Sequence, residues 1–486
     1  MPGFAQSAWN TIKKQTKLFN SYTFREPNMQ SGLDTSPPVH RWMKDSLDRT
    51  AFHKSLRVLG VCVPATRTTT ILKSEPLKRY IIDLPKIRSV IWDPSGEKDR
   101  RVVLLKVTEE AALSPEARSF LKEQCADLTE HMVDLKYDYW TADEILQSIL
   151  PEALCDDSPT GFSITGHIAH MNLNHKYLPY KHLIAQIILD KNPTIKTVVN
   201  KLDNIDTKFR FFKMEVLAGE PYFVVEHRES DCRFTFDFSK VYWNSRLHTE
   251  HDRLVQLFKP EDIIADVFAG VGPFAIPAAK KGCAVLANDL NPDSAHWLTK
   301  NISTNHVSDL VRASCEDGRD FIRNAVLRAL QDPFPAYPGP KLRRMQEKQQ
   351  QRRRRQEQQP TGINPPTMES PLAPNLSSRN EVTQFVMNLP DSALEFLDAF
   401  QGILAPLAEP EGQLSGIYST MPMVHCYCFT REPDAYKAEA DIRQRAEKII
   451  GAKLEEARLY FVRAVAPKKD MYCISFRLPR NVAFAR

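Results

Sequence analysis

The stretch Asp266-Val-Phe-Ala-Gly-Val-Gly-Pro-Phe274 decides the fold of this chain. It continues the apolar run of residues 263–265, which is typical of a buried strand, and leads into PFAIPAAKKG, which has the composition of a helix. Gly270 and Gly272 let the backbone turn tightly and approach a ligand closely, with helix N–H groups facing it. A strand, a glycine-rich turn and a helix in this order predict a parallel sheet with crossover helices.

The alternation of strand and helix continues along the chain. Each of three further apolar runs is followed by a helical pattern: AVLANDL by NPDSAHWLTKNISTN, DLVRASCEDG by DFIRNAVLRALQ, and TQFVMNLP by DSALEFLDAF. Upstream, residues from about 50 to 241 show shorter strand patterns mixed with few helices, as in two small α+β modules. We therefore predict an α/β fold, a Rossmann-like domain preceded by two smaller α+β domains.

The composition excludes several classes of protein. With 486 residues, 42% of them apolar and 26% charged, the chain suits a protein of several domains, and no apolar run reaches the roughly 20 residues of a membrane span. Nine cysteines lack paired CxxC spacing, so we expect reduced thiols, no metal and no membrane. Cys426 and Cys428 alternate within MVHCYCF, which favours packing on one strand face over redox or metal use. The formal charge of +5 is small, so any nucleic-acid surface must be a local patch.

Two segments have the composition of poorly ordered chain. Residues 1–45 begin with several basic residues before the first acid, Glu26, which fits either a mitochondrial import segment or a solvated tail. Residues from about 334 to 380 are rich in Gln, Arg and Pro, and we predict a disordered insertion there. Its basic run from Lys341 to Arg355 could contact RNA phosphates or be a solvated loop without a specific role.

Polar residues follow the predicted parallel strands at the ends where ligands bind in open α/β sheets. Asp289 follows the second strand and could accept hydrogen bonds from a ribose diol, while Asp317 and Gly318 follow the third, where a carboxylate could meet an adenine amino group beside a glycine that leaves room for the ring. Each acid could instead be a helix N-cap. The pattern Gly270-x-Gly272-x-x-Ala275 also fits a nicotinamide dinucleotide site, so these residues leave two cofactor classes open.

The fourth strand ends in Asn388-Leu389-Pro390, which separates those two classes. An Asn-x-Pro there would place an amide and carbonyl groups beside a sulfonium carbon and a planar base, an arrangement for which nicotinamide enzymes have no need. The alternative is a plain turn in which Pro390 opens the following helix.

In this order, YWNSRLHTEH, ADVFAGVGPFAIPAAKKG, NDLNP and VMNLPDSA resemble the eukaryotic tRNA (guanine-37-N1)-methyltransferases. The resemblance covers roughly residues 209–478 outside the insertion. It implies a class I methyltransferase domain at 246–486, preceded by an RNA-sensing domain at 46–158 and a middle domain at 159–245. It also implies S-adenosylmethionine as cofactor, tRNA with G37 as substrate, a monomer, and presence in the cytoplasm, the nucleus and the mitochondrial matrix.

The resemblance also implies roles for individual residues. Glu250 matches the general base, Arg210 matches an arginine that stabilises developing charge, and Pro390 shapes the base pocket together with Asn388. The implied cofactor contacts are Tyr242, His251, Gly270, Gly272, Asp289, Leu290, Asp317, Gly318 and Asn388.

The chemistry explains why these residue types are needed. N1 of guanine carries a hydrogen, so a carboxylate such as Glu250 must take the proton before the methyl group arrives. Charge then builds on O6, where the guanidinium of Arg210 could donate two hydrogen bonds. The alternatives are a surface ion pair of Glu250 with Arg253 or Arg246 and a solvent-exposed strand cation at Arg210.

The sequence leaves three alternative functions open. A wybutosine-synthesis enzyme uses the same cofactor but transfers an aminocarboxypropyl group, and the glycine pattern alone also allows a nicotinamide-dependent oxidoreductase. The third rival is a catalytically silent tRNA-binding protein. The intact Asn-Leu-Pro and His-Thr-Glu-His segments favour methyl transfer.

Overall fold

The computed structural model describes residues 33–155, 159, 161–205, 209, 211–339, 378–405, 418 and 420–485. These residues form two compact units. The first comprises the described chain up to Gly161 with Leu173–Thr194 and Leu217–Gly219, and the second comprises Phe162–Asn172, Ile195–Val216 and the described chain from Glu220 onward. Part of the predicted middle domain thus belongs to the first unit, and the division into three domains stays a prediction.

The first unit is built on an antiparallel sheet of four strands in the order β2-β3-β1-β4. Alternate residues of the first strand, Leu59, Val61 and Val63, face one hydrophobic core, as period-two patterning requires. The strands are β1 (His53–Pro64), β2 (Val90–Trp92), β3 (Arg100–Leu105) and β4 (Asp127–Lys136). The helices are α1 (Thr68–Lys73), α2 (Glu75–Lys78), α3 (Pro115–Glu123), α4 (Ala142–Ile149) and α5 (Lys181–Lys191).

The second unit begins with two small strand groups, which agrees with the α+β pattern predicted for this part of the chain. The first is a sheet in the order β5-β6-β7-β8, in which β5 and β6 are antiparallel and β6 and β7 are parallel. The second is an antiparallel hairpin of β9 and β10. The strands are β5 (Ser163–Thr165), β6 (Ile168–Met171), β7 (Thr197–Ile205), β8 (Phe212–Gly219), β9 (Val224–Glu229) and β10 (Cys232–Asp237).

A seven-stranded sheet forms the centre of the second unit, in the order β13-β12-β11-β14-β15-β17-β16. Its first five strands are parallel, and β17 runs antiparallel to both of its neighbours. The strands are β11 (Ile263–Asp266), β12 (Ala284–Asn288), β13 (Val311–Ser314), β14 (Val382–Met387), β15 (Met423–Thr430), β16 (Arg458–Ala466) and β17 (Lys469–Arg477). The predicted Rossmann-like class I architecture is confirmed.

Helices cover both faces of this sheet. They are α6 (His248–Leu257), α7 (Ala275–Lys281), α8 (Pro292–Thr304), α9 (Gly318–Gln331), α10 (Ala435–Ile450) and α11 (Arg480–Ala483). One hydrophobic core lies under α6, α7, α8 and the β9–β10 hairpin, and the other under α9 and α10. The order of connection reverses between β11 and β14, which is the switch point where open α/β sheets bind ligands.

Several details differ from the sequence-based expectations. DSALEFLDAF forms a 3-10 helix at Ala393–Phe400, and the third parallel strand ends at Ser314, three residues before Asp317. Phe334, at the start of the predicted insertion, is fully buried and pairs with Arg379 in an antiparallel bridge. Residues 340–377 lie outside the described residues, as do residues 1–32, so the predictions for them stay predictions.

The packing expected for two cysteines is found. Cys426 and Cys428 are buried in the same core on β15, and all nine cysteines are free thiols. Among the described residues, no helix combines the length and the apolar character that crossing a bilayer requires.

Candidate active site

The glycine-rich turn lies at the tip of β11, beside the tip of β12. Gly270 has φ +55° and Gly272 has φ +102°, a backbone region that side chains other than glycine rarely adopt. A Cβ at Gly272 would come within 2.8 Å of Ile276, whereas a Cβ at Gly270 would meet nothing within 4 Å. Gly272 is therefore required by packing, and Gly270 borders open space at the switch point.

Asp289 is bound to this turn. Its Oδ2 accepts a hydrogen bond of 2.8 Å from the Gly270 N–H, and its Oδ1 accepts one of 2.9 Å from the Asn291 N–H. The N-cap of α8 is Asn291, whose side chain accepts from the Asp293 N–H, so the alternative that Asp289 caps this helix is wrong. The Ser294 hydroxyl is a third donor to this carboxylate, which still leaves a lone pair unoccupied. Asp289 is placed to accept hydrogen bonds from a diol at the switch point.

Asp266 is a site residue to which the sequence analysis gave no role. It is fully buried at the end of β11, and neither carboxyl oxygen has a hydrogen-bond partner among the described residues. Burial, and then the charge of Asp289, raise the pKa of Asp266 well above its usual value, although the Phe268 backbone opposes this. An acid ending an apolar strand was the available signal. A buried polar group without a partner calls for an explanation, and a donor from a bound ligand or a water molecule is one.

The structure after the third parallel strand agrees only in part with the prediction that Asp317 and Gly318 contact the cofactor. Asp317 is exposed and is the N-cap of α9, accepting from the Arg319 N–H at 2.8 Å. A Cβ at Gly318 would lie 2.9 Å from Phe268 and 3.2 Å from Phe396, so two aromatic side chains pack against this glycine. The structure supports the capping alternative for Asp317 and a packing reason for Gly318. Their cofactor contacts stay predictions.

One buried amide holds three strand tips together. Asn288, the last residue of β12, donates from Nδ2 to the carbonyls of Val267 at 3.2 Å and Glu316 at 3.1 Å. Its Oδ1 accepts from the Glu316 N–H at 3.0 Å and from the Ser314 hydroxyl at 3.1 Å. Nothing in the sequence marks Asn288 as a site residue, because an asparagine beside Asp289 gives no signal of its partners.

The Asn388-Leu389-Pro390 segment lies on the other side of the switch point. The Oδ1 of Asn388 is buried and has no hydrogen-bond partner in the described part of the chain. The Pro390 carbonyl accepts from the Phe429 N–H at 3.1 Å, which ties the segment to β15. The amide oxygen of Asn388 is thus free to accept a hydrogen bond from a ligand, as the predicted base pocket requires.

Glu250 is buried, with 4% of its surface exposed. The guanidinium of Arg253 donates to Oε1 and Oε2, at 2.6 Å each, and the Tyr427 hydroxyl donates to Oε1 at 2.7 Å. The pairing with Arg253 was foreseen as an alternative, but the description of it as a surface pair is wrong. Three donors leave one lone pair of the carboxylate free, on Oε2.

Tyr427 connects Glu250 to the Asn388 segment. Met387 pairs with Cys426 in the sheet, so Asn388 and Tyr427 are the next residues along the two neighbouring strands. Burial, and then the charges of Cys473 and Glu250, raise the pKa of Tyr427 well above its usual value, so its hydroxyl stays protonated and donates. The structure therefore brings Glu250 to the strand that adjoins Asn388.

The remaining predicted contacts lie around these groups. Tyr242 and Leu290 are 44% and 40% exposed, as ligand contacts require. His251 is buried, and its Nδ1 lies 2.6 Å from Oε1 of Glu229, with Phe274 at a ring distance of 4.8 Å. Its predicted cofactor contact stays a prediction. Arg210 lies outside the described residues. No cluster of His, Cys, Asp or Glu with metal-binding geometry occurs in the described ranges.

Comparison with known proteins identifies the family of this chain. Residues 225–330 match the family described as TRM5/TYW2 methyltransferase domain, and residues 142–222 match the TYW2 N-terminal domain. A tRNA (guanine(37)-N(1))-methyltransferase of Coprinopsis cinerea is 57% identical over 93% of this chain and 98% of its own length. The chain belongs to the tRNA (guanine(37)-N(1))-methyltransferase family.

Other members of the family support the assignment. The Saccharomyces cerevisiae tRNA (guanine(37)-N(1))-methyltransferase is 41% identical over 92% of this chain and 95% of its own length. Among solved structures, Trm5b from Pyrococcus abyssi shares the fold with a TM-score of 0.50 and 21% identity, over 86% of this chain and 98% of that protein. Membership of this methyltransferase family overturns the nicotinamide alternative.

Proposed function

We infer that this chain transfers the methyl group of S-adenosylmethionine to N1 of guanine 37 in tRNA. Family membership supports the reaction, because the curated relatives are tRNA (guanine(37)-N(1))-methyltransferases. The observation that carries the mechanism is the buried carboxylate of Glu250, with one free lone pair, held by Tyr427 beside the strand that leads to Asn388. A base at this position is what N1 methylation needs and what a silent tRNA-binding protein would not keep.

Glu250 takes the N1 proton in this mechanism. The proton goes to the unoccupied lone pair on Oε2, while Arg253 and Tyr427 keep the carboxylate oriented. The buried Oδ1 of Asn388 accepts a hydrogen bond from an N–H of the guanine and so fixes the ring. Arg210 is proposed, from the resemblance alone, to meet the charge that develops on O6.

The residues around the glycine turn fit the cofactor. Asp289 offers a carboxylate lone pair to a ribose diol, Asp266 offers a carboxyl without a partner among the described residues, and Gly270 borders open space. The bound cofactor supplies an electrophilic methyl group whose leaving group is a neutral thioether. No charge has to be neutralised on that leaving group, so the reaction itself calls for no metal.

A methylation assay tests the proposal. The full chain is incubated with radiolabelled S-adenosylmethionine and tRNA transcripts that differ only in carrying G or A at position 37. Label should enter the G37 transcript alone, and mass analysis of the nucleosides should show an added methyl group rather than an aminocarboxypropyl group. Equal labelling of both transcripts, or none, would refute the assignment.

Two further properties are proposed on the resemblance alone. The enzyme acts as a monomer, which light scattering on the purified chain at assay concentration would test. It is distributed among cytoplasm, nucleus and mitochondrial matrix, and cell fractionation with a C-terminal tag would test this. A dimer in the first experiment, or restriction to one compartment in the second, would contradict these proposals.

A further inference from the structure

Three cations of the second unit, Lys201, Arg246 and Arg463, lie close together near the candidate active site. Lys201 is on β7, Arg246 is in the 3-10 turn Ser245–Leu247 that runs into α6, and Arg463 is on the edge strand β16. They are far apart in sequence, and no single segment of the chain marks them as a group. We name them the cation cluster.

Aromatic rings surround the lysine of this cluster. The Nζ of Lys201 lies 4.2 Å from the centre of the Phe212 ring and 5.5 Å from that of Phe238. Phe212 is also 6.5 Å from Tyr242, whose ring is 44% exposed. The lysine is thus held over ring faces, which favours a cation but does not neutralise it.

Arg246, in the 3-10 turn, is linked to the same aromatic rings by a short chain of contacts. The Nη2 of Arg246 donates to the Ser163 hydroxyl at 3.3 Å, and Ser163 pairs across the sheet with His170. The His170 ring in turn lies 5.0 Å from Phe238, one of the two rings under Lys201. A chain of contacts through Ser163, His170 and Phe238 therefore links Arg246 to Lys201.

The ionisation of neighbouring groups agrees with this arrangement. Burial, followed by the charges of Lys201 and Arg246, lowers the pKa of His170 to about 3. Burial and then the charge of Arg246 lower the pKa of Lys201 to about 8 and also lower the pKa of Arg463. The like charge of Arg246 thus acts on both other members of the cluster. The strand that carries Arg463 adjoins α6, because the Arg253 guanidinium lies 3.9 Å from the centre of the Tyr460 ring on β16.

None of the three cations forms an ion pair with a described carboxylate. Lys201 and Arg246 contact rings and a hydroxyl, and Arg463 donates to the backbone carbonyl of Ala464 at 3.2 Å. Elsewhere in the same unit, Arg328 is paired with Glu316 and Arg253 with Glu250. Like charges gathered without an anion are unfavourable unless a ligand supplies one.

We propose that Lys201, Arg246 and Arg463 bind phosphodiester groups of the tRNA next to the target guanosine. The proposal deepens the function proposed above and rests on it for the identity of the RNA. Arg246 precedes Glu250 by four residues, about one helical turn or roughly 6 Å. Cations grouped around an exposed aromatic ring are the chemistry that binds a single-stranded nucleic-acid backbone.

Salt-dependent binding of a G37 tRNA transcript tests the site. Arg246→Gln, Arg463→Gln and Lys201→Met are each expected to raise the tRNA dissociation constant about tenfold. Each should also reduce the slope of log affinity against log salt by about 0.7 to 1, because one fewer counterion is released. The affinity for S-adenosylhomocysteine, measured by calorimetry, should stay within twofold.

Arg323→Gln is the matched control. Arg323 is a half-exposed cation on α9, which packs on the opposite face of the seven-stranded sheet, and its removal should change neither the affinity nor the slope. If Lys201→Met does not fold, the two arginine variants decide the outcome. Unchanged tRNA affinity in both, or weaker binding with an unchanged slope, would overturn the proposal. Failure of the wild-type chain to methylate G37 would instead refute the proposed function, while the binding data would still judge this site.

Discussion

Arg253 donates two hydrogen bonds of 2.6 Å to the carboxylate of Glu250, three residues earlier on the same helix. The guanidinium also lies 3.9 Å from the centre of the Tyr460 ring, on the edge strand β16. Arg253 therefore orients Glu250, and the Tyr460 ring in turn orients Arg253. Its carboxylate has a fixed direction before any substrate arrives, which is the preorganisation that proton abstraction needs.

Replacing the base should separate chemistry from binding. We expect Glu250→Gln to lower the single-turnover rate of methyl transfer by a factor of about 100 to 10,000, because the amide cannot take the N1 proton. Cofactor affinity should change little, since the Glu250 contacts are with Arg253 and Tyr427. Rapid-quench kinetics and calorimetry measure the two quantities. Parallel losses in both would mean that Glu250 shapes the site rather than acting as the base.

The arginine behind Glu250 should matter through its geometry as well as its charge. Arg253→Lys keeps the charge but cannot donate from two aligned nitrogens, so we expect the single-turnover rate to fall about tenfold. Arg253→Met should lose more, because it leaves the buried carboxylate without its cation. tRNA affinity should remain near that of the wild type. A lysine variant with full activity would show that charge alone suffices.

Gly270 and Gly272 both have a positive φ but differ in the space available to a side chain, so alanine substitutions at the two positions can be compared directly. Gly270→Ala adds only the strain of a positive φ, about 1 to 2 kcal/mol, while its methyl group enters the open space beside Asp289. Gly272→Ala adds the same strain and contacts at 2.8 Å with Ile276 and 3.0 Å with Leu298. We expect Gly272→Ala to unfold at lower urea concentration than Gly270→Ala. Gly270→Ala should mainly weaken cofactor binding, and the reverse order of stabilities would contradict this interpretation.

Replacing Asp266 with asparagine should stabilise the fold and weaken cofactor binding. Its pKa in the folded chain is raised, so the protonated form is favoured, and the stability it contributes is lost as pH rises through that value. Asp266→Asn carries no charge and should be more stable than the wild type at pH 8 by about 1 kcal/mol, with the difference shrinking towards acid pH. Its cofactor affinity should fall about tenfold if the carboxyl receives a donor from the ligand. Urea titrations at pH 5 and 8, with calorimetry, measure both effects.

The sequence predicts local features of this site well and distant pairs poorly. Gly270, Asp289 and Asn388 could be placed at strand tips, because strand and helix periodicity fixes where each parallel strand ends. The same periodicity carries no information on which side chain lies opposite another. Tyr427 is 177 residues from Glu250 and reads as one more apolar position of a strand. The packing of Gly318 shows the same limit, since nothing in the neighbouring sequence marks Phe396 as a ring that packs against this glycine.

The bridge between Phe334 and Arg379 has a consequence for how this enzyme can change. The two residues exchange backbone hydrogen bonds of 2.8 and 2.9 Å, so the two ends of the segment between them are held together at one point, between α9 and β14. The entropy lost in closing a loop grows only with the logarithm of its length. Sequence can therefore be gained or lost between α9 and β14 over evolution while the strand order, and the tips that surround the cofactor, stay as they are.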